Sequence, residues 1–203
     1  MKNIFSLTVL FFISTLVIAQ TKPEPLVKTS VFIDGVLSNL KIKCSELPEA
    51  IKQLEKEGKL VAAEGVRDGM YTMCECTPKK LETVRAKLSV IELDTKISES
   101  KFGTSIANPI VEQCGSDQLK RTYSEGCSTR YFAKNKKNPE KYCSCMHRGL
   151  EQMSNSEIMK GSNDGIEYAA KASEAKKNGM PAPVKPASFQ KFFDLDASCS
   201  TAQ

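Results

Sequence analysis

The sequence predicts an all-α fold, namely a disulfide-stapled helical bundle made of two duplicated four-cysteine helical units. Three observations predict it. Apolar residues recur at helical spacing through most of the chain. Eight cysteines follow a predicted export signal, and an even number in an exported chain indicates disulfides. The pattern C-x-C-x4-L-E occurs twice, at residues 74–82 and 143–151, which indicates a repeated helical element.

The first 19 residues have the pattern of a secretory signal peptide. A short positive start is followed by an apolar run from Ile4 to Ile18, and Val17-Ile18-Ala19 offers a cleavage site. No later stretch is long and apolar enough to span a bilayer, so no integral membrane segment is expected after cleavage. The predicted location is therefore secreted or periplasmic. Residues 20–36 are predicted to form an N-terminal tail or linker, because the stretch after the cleavage site has two prolines and no apolar period.

Residues 37–119 are predicted to form the first helical unit. The segment from Val31 to Ile42 could be a short strand or an apolar turn. An amphipathic helix is expected after Cys44, with Pro48 in its first turn. Thr77-Pro78 predicts a second helix start, as an N-cap followed by proline at the first helical position.

A third helix start is predicted at Asn108-Pro109, near the end of this unit, and Ser116 can repeat the cap signal. From there an apolar stripe with a spacing of four residues would place Cys127 in the middle of a helix. The stripe consists of Leu119, Tyr123, Cys127 and Tyr131.

Residues 120–203 are predicted to form the second helical unit. Asn138-Pro139 opens a helix that carries the second C-x-C within its first turns. Another helix is expected from Ile166 to the stop signal at Asn178-Gly179. A proline-rich connector follows, and an aromatic segment before Cys199 is expected to dock on the core.

The cysteines divide into two sets that each read single, C-x-C, single. Cysteines separated by one residue are poor partners, because so small a ring strains the disulfide geometry. On a helix they point to nearly opposite sides, so one C-x-C can reach two neighbours. Of the 105 pairings open to eight cysteines, four keep every bridge within its set and outside a C-x-C. The sets are Cys44, Cys74, Cys76, Cys114 and Cys127, Cys143, Cys145, Cys199.

Function is predicted mainly from what the composition excludes. Basic and acidic residues are interspersed, and the only dense basic run spans residues 134–137, so no nucleic-acid partner is expected. With a single histidine the chain can hardly build a conventional catalytic triad, and it has no Gly-rich phosphate loop. The prediction is an exported, disulfide-stabilised, non-catalytic helical protein without a cofactor or catalytic residues. It would act as a binding module for an unknown protein or other macromolecule.

Two other functions remain open. The first is periplasmic copper binding, because thiolate, thioether and imidazole donors occur together at Cys143, Cys145, Met146 and His147. The first C-x-C is followed instead by Thr77-Pro78. The second is a thiol-disulfide oxidoreductase that uses C-x-C as its redox pair, since the strain of a bond within the motif would make it oxidising.

Overall fold

The computed structural model describes residues 24–124 and 126–201. This part of the chain is mostly helical and contains nine α-helices, so the predicted all-α, disulfide-stapled fold is confirmed. The helices are α1 Thr29–Lys56, α2 Leu60–Met70, α3 Thr77–Lys87, α4 Val90–Asp94, α5 Glu99–Phe102, α6 Asn108–Thr122, α7 Pro139–Glu151, α8 Asn155–Lys177 and α9 Ala187–Thr201. None of them is long and apolar enough to cross a bilayer.

By its internal contacts the chain divides into two compact units, the first ending at Cys114 and the second beginning at Gly115. The boundary predicted from the sequence, between residues 119 and 120, lies within the same helix, α6. Each unit contains one of the two cysteine sets. A common origin of the two units by duplication stays a prediction.

The stretch before the first helix is tied to the first unit. Strand β1 (Val27–Lys28) pairs antiparallel with strand β2 (Lys96–Ile97). The Glu24 carboxylate accepts hydrogen bonds from the hydroxyl and then the backbone N–H of Ser100, which hold the pKa of Glu24 below its usual range. The prediction of a tail or linker over residues 20–36 is therefore wrong from Glu24 onward. The predicted signal peptide, residues 1–19, and residues 20–23 lie outside the described residues.

Helix α1 is longer than the sequence pattern indicated. It begins at Thr29, so the segment Val31–Ile42 is helical rather than a strand or a turn, and it continues through Pro48 to Lys56. Pro48 has no N–H to donate to the carbonyl of Cys44, four residues earlier. The helix nevertheless continues, because its apolar side is buried on both sides of this position, at Ile33 and at Ile51.

Two predicted helix starts lie inside continuous helical stretches. A π-helical turn, Tyr71–Cys76, leads from α2 directly into α3, and another, Gly103–Ala107, leads from α5 into α6. Both Thr77 and Asn108 have right-handed helical dihedral angles and do not act as caps. In each case a proline follows the π turn by two residues. Proline removes one α-helical hydrogen bond and crowds the preceding turn, so a local widening of the helix accommodates it without ending it.

The predicted helix around Cys127 is also wrong. Helix α6 runs through Ser116 without restarting and ends at Thr122. Gly126 has φ 72°, a left-handed conformation that does not continue an α-helix. Cys127 then lies in a short 3-10 turn, Cys127–Thr129. Asn138 is a true cap, because its backbone is non-helical and its side chain accepts a hydrogen bond from the N–H of Lys141.

Each unit has its own apolar clusters. In the first, one cluster centres on Ile33, Leu81 and Phe102, and another, between α1 and α2, centres on Ile51, Ala63 and Val66. In the second unit one cluster contains Cys127, Ala133, Tyr142, Cys143, Met146 and Cys199. Half of its six buried residues are cysteines, so the bridges there are part of the core rather than an addition to it.

Helix α9 packs closely on α8 at glycines. A Cβ added at Gly165 would lie 2.6 Å from Cδ2 of Phe189, and one at Gly161 would lie 3.0 Å from the carbonyl oxygen of Ser188. The Phe189 ring is in turn held by Tyr168, with ring centroids 5.4 Å apart. The helix predicted to begin at Ile166 begins at Asn155 instead, and the glycines within α8 allow the close approach of α9.

We predict that Gly165→Ala lowers the free energy of unfolding by about 1–3 kcal/mol, because the added methyl group overlaps a ring that has little room to move. Gly35→Ala is the matched control, since Gly35 is also helical and a Cβ there meets nothing within 4 Å. It should stabilise by about 0.5–1 kcal/mol through helix propensity. Urea unfolding of both variants tests this, and equal effects would contradict the close approach.

Glu157 is held by groups from two helices. Its carboxylate accepts a hydrogen bond from Lys191 on α9 at 2.7 Å and forms a capping box with Ser154 at the start of α8. Lys191 and then the Ser154 backbone and hydroxyl lower the pKa of Glu157 to about 2. Its contribution to stability is therefore complete above the unfolded pKa, about 4.3, and is lost as pH falls through 2.

We predict that Glu157→Gln lowers stability at neutral pH and that its difference from the parent chain shrinks as pH falls from about 4.3 to 2. Lys191→Met removes the first cause of the lowered pKa of Glu157. In this variant the folded-state pKa should lie closer to 4.3, so stability should depend on pH over a narrower range. Urea unfolding at a series of pH values measures both. A difference between Glu157→Gln and the parent that stays constant with pH would contradict this assignment.

Candidate functional site

All eight predicted disulfide cysteines are paired. The bridges are Cys44–Cys74, Cys76–Cys114, Cys127–Cys143 and Cys145–Cys199. Every bridge joins one member of a C-x-C to an outer cysteine of its own set, which is one of the four arrangements left open by the sequence. Both sets pair in the same order, first with second and third with fourth. Four bridges are typical of a protein of an oxidising, extracellular-type compartment.

The structure does not bring together the donors of the copper hypothesis. Cys143 and Cys145 are in different bridges, so neither offers a thiolate. Met146 is fully buried, and Nδ1 of His147 lies 3.2 Å from the carbonyl oxygen of Lys120, to which it can only donate. Among residues 24–124 and 126–201 there is no cluster of three or more His, Cys, Asp or Glu side chains that could hold a metal ion.

The redox hypothesis required a bond within a C-x-C. The two cysteines of each motif are bonded instead to different partners, on opposite sides of α7 in the second motif. The cysteines of the first motif reach α1 and α6. Both motifs therefore act as structural cross-links between helices.

The Cys127–Cys143 bridge closes a loop that is basic and aromatic. Residues 130–141 contain five basic side chains and one acidic side chain. The loop, here called the basic loop, is turned by backbone hydrogen bonds from Ala133 and Lys134 to the carbonyl oxygen of Arg130, at 3.0 and 2.9 Å. Ala133 is fully buried, which fixes the middle of the loop to the core. A short closed loop with a buried anchor has a defined shape.

The inner side of the basic loop is fastened to α7 and α9. Nζ of Lys136 donates to the hydroxyl of Ser200 at 2.8 Å and lies 3.6 Å from the carboxylate of Asp196. It also lies 4.3 Å from the ring centroid of Tyr142. The Tyr142 hydroxyl donates to Asp196 at 2.5 Å. Burial first, then Tyr123 and Asp196, raise the pKa of Tyr142, so this hydroxyl stays protonated and keeps donating.

The outer side of the loop carries cations that have no carboxylate partner among the described residues. They are Lys134, Lys137 and Lys141, and all three are exposed. Lys134 is positioned by a ring, since its Nζ lies 3.5 Å from the centroid of Tyr131. The loop therefore presents positive charge outward, while Lys136 holds it from within.

Each unit also has an open cleft beside a bridge. In the second unit a cleft of about 300 Å³ lies at the base of the basic loop, next to Cys127–Cys143, and is lined by Glu140, Ser144 and His147 of α7. In the first unit a cleft of about 530 Å³ lies next to Cys44–Cys74. Neither the basic loop nor the clefts were predicted from the sequence. The only sequence signal was the basic run at residues 134–137, which was used only to argue against a nucleic-acid partner.

The chain matches no protein-family model, and neither a curated protein nor a solved structure shows significant similarity to it.

We predict that Tyr142→Phe destabilises the second unit by about 1.5–3 kcal/mol, because it removes a hydrogen bond to a charged acceptor. Tyr168→Phe is the control, since the Tyr168 hydroxyl makes no hydrogen bond within the described part of the chain while its ring also packs on aromatic neighbours. It should change stability by less than about 0.5 kcal/mol. Urea unfolding measures the free energy of unfolding of both variants. An unchanged free energy of unfolding in Tyr142→Phe would contradict the anchoring of α9 through Asp196.

Proposed function

We propose that this protein is an exported, non-catalytic binding protein that recognises an acidic surface of a partner protein through its basic loop. The observation that carries the proposal is the two-sided construction of that loop. Lys136 is fixed inward by Ser200 and Asp196, while Lys134, Lys137 and Lys141 are exposed and have no carboxylate partner within the described part of the chain.

Preorganisation is the physical reason to assign binding to this loop. A loop closed by a bridge and anchored at a buried alanine loses little conformational entropy when it meets a partner. Charges that are already placed contribute to the rate and the specificity of association. Tyr131 beside Lys134 adds the aromatic character that is common in protein interfaces.

The amount and spread of charge favour an acidic protein over a nucleic acid. The outward cations are few, and the exposed Glu140 lies among them. A nucleic-acid site needs a longer basic stripe that neutralises many phosphates. Three lysines are enough to pair with a local patch of carboxylates on a protein. In physiological salt, charges farther apart than the screening length contribute little to binding.

The non-catalytic part of the proposal is supported by the state of the strongest nucleophiles in the chain. All eight cysteines are in bridges, so none is available for covalent catalysis. Lys136 of the loop, Tyr142 of α7 and Asp196 of α9 hold one another in place. Their geometry is that of an anchor between a loop and two helices.

We predict that Lys134→Glu, Lys137→Glu and Lys141→Glu together weaken binding to immobilised poly-L-glutamate at about 150 mM salt by at least about tenfold, a loss of about 1.4 kcal/mol. The matched control reverses Lys56, Lys79 and Lys101, three exposed lysines of the first unit, and so changes the net charge equally. It should leave binding within about twofold. Surface plasmon resonance measures both.

Two results would overturn the proposal. An equal loss in both triple variants would show that net charge alone governs binding. Tighter binding of the parent chain to single- or double-stranded DNA than to poly-L-glutamate would assign the basic loop to nucleic acid.

A further inference from the structure

The four bridges differ in their exposure to solvent. Every bridge but one has a cysteine that is at most 1 % exposed: Cys114, Cys127 or Cys199. In Cys44–Cys74, by contrast, both cysteines are partly exposed. Exchange requires a thiolate to reach a disulfide sulfur, so access is the first condition for selective reaction.

Cys44–Cys74 also lies on a cleft that could admit a reagent. The cleft, about 530 Å³, is bounded by α1 on one side and by residues 74–82 on the other. Leu37, Leu40 and Pro78 form apolar walls. A cleft of this size is in the range that accepts small molecules.

Two charged residues that form no ion pair among the described residues line the same cleft, Lys41 and Glu82. Lys41 lies three residues before Cys44, on the same side of α1, and makes no ion pair within the described residues. A cation near a cysteine favours its thiolate form and so makes it the better leaving group. Glu82 faces the cleft from α3, and its carboxylate opposes the approach of an anionic thiol.

We propose that this cleft is a thiol-exchange site, at which a small, uncharged dithiol reduces Cys44–Cys74 while the other three bridges stay closed. A thiolate of the dithiol attacks Sγ of Cys74, the Cys44–Cys74 bond breaks, and Cys44 leaves as a thiolate beside Lys41. The second thiolate of the dithiol then attacks the mixed disulfide and releases Cys74. The dithiol is oxidised to its cyclic disulfide, and the protein gains two electrons and two protons.

The rest of the first unit is built to survive the loss of this bridge. The apolar cluster around Ile33 and Leu81 lies on one side of Cys44 along α1, and the cluster around Ile51 lies on the other. The Cys76–Cys114 bridge, two residues along the chain from Cys74, keeps the π turn fastened to α6. Reduction would therefore release a local constraint and leave helical structure in place.

The proposal is tested by treating the full-length folded protein with limiting dithiothreitol, trapping thiols with iodoacetamide and mapping the labelled peptides. The expected result is that Cys44 and Cys74 are labelled first and together, with far-ultraviolet circular dichroism unchanged. First labelling of another pair, or simultaneous labelling of all eight cysteines, would overturn the proposal.

Cleft variants test whether the lining residues govern the reaction. Lys41→Gln should slow reduction of Cys44–Cys74 by about twofold to fivefold, because the leaving thiolate loses its cation. Lys52→Gln, also on α1 but eight residues beyond Cys44 and outside the cleft, is the matched control and should not change the rate. Glu82→Gln should speed reduction by anionic glutathione more than reduction by dithiothreitol. Identical rates in all three variants would show that the cleft does not direct the exchange and would overturn the site.

Discussion

The two-sided bonding of each C-x-C is the constraint on which the rest of the structure depends. The side chains of residues i and i+2 on an α-helix are separated by about 200° around its axis. Cys143 and Cys145 must therefore reach partners on opposite sides of α7. They do so through Cys127 and Cys199, and α7 is thereby fixed between the 3-10 turn and α9. The apolar clusters alone are small, and three of the six buried residues around α7 are cysteines. Cross-links here replace core volume that the sequence does not supply.

How much of this could be predicted depends on whether the deciding interaction is local. Parts of α1, α3, α6, α7 and α8 were expected from apolar periodicity and proline signals. The four possible disulfide arrangements followed from ring strain together with the division of the cysteines into two sets. Helix boundaries at prolines could not be predicted in this way, because a polar residue before proline gives the same signal whether its backbone is non-helical, as at Asn138, or helical, as at Thr77. The difference lies in the residues before the proline, because at Thr77 the chain is already helical from α2 through the π turn. The sequence alone does not show that a π turn will compensate for the hydrogen bond that proline removes.

The basic loop shows the opposite case, because the local sequence shows only a short basic run and residues distant in the chain give that run its structure. Lys136 is anchored by Asp196 and Ser200, 60 and 64 residues away. No periodicity links these positions, and an Asp on an amphipathic helix is ordinarily exposed. Lys134 and Lys137, on either side of Lys136 in the chain, are exposed. A run of charge becomes a shaped surface only through tertiary structure, so a single sequence could not identify this candidate site.

The two cysteine sets share one order of pairing yet differ in what covers the first bridge. Thirty residues separate Cys44 from Cys74, and they fold as an antiparallel pair, α1 to α2, turned at Gly58 with its own apolar cluster. The two helices pack against each other and do not cover the Cys44–Cys74 bridge, which lines the cleft. Only 16 residues separate Cys127 from Cys143, too few for such a hairpin, so the loop folds back and buries Ala133 against the bridge. Connector length thus decides which bridge belongs to the core and which meets solvent, whether or not the units arose from one ancestor.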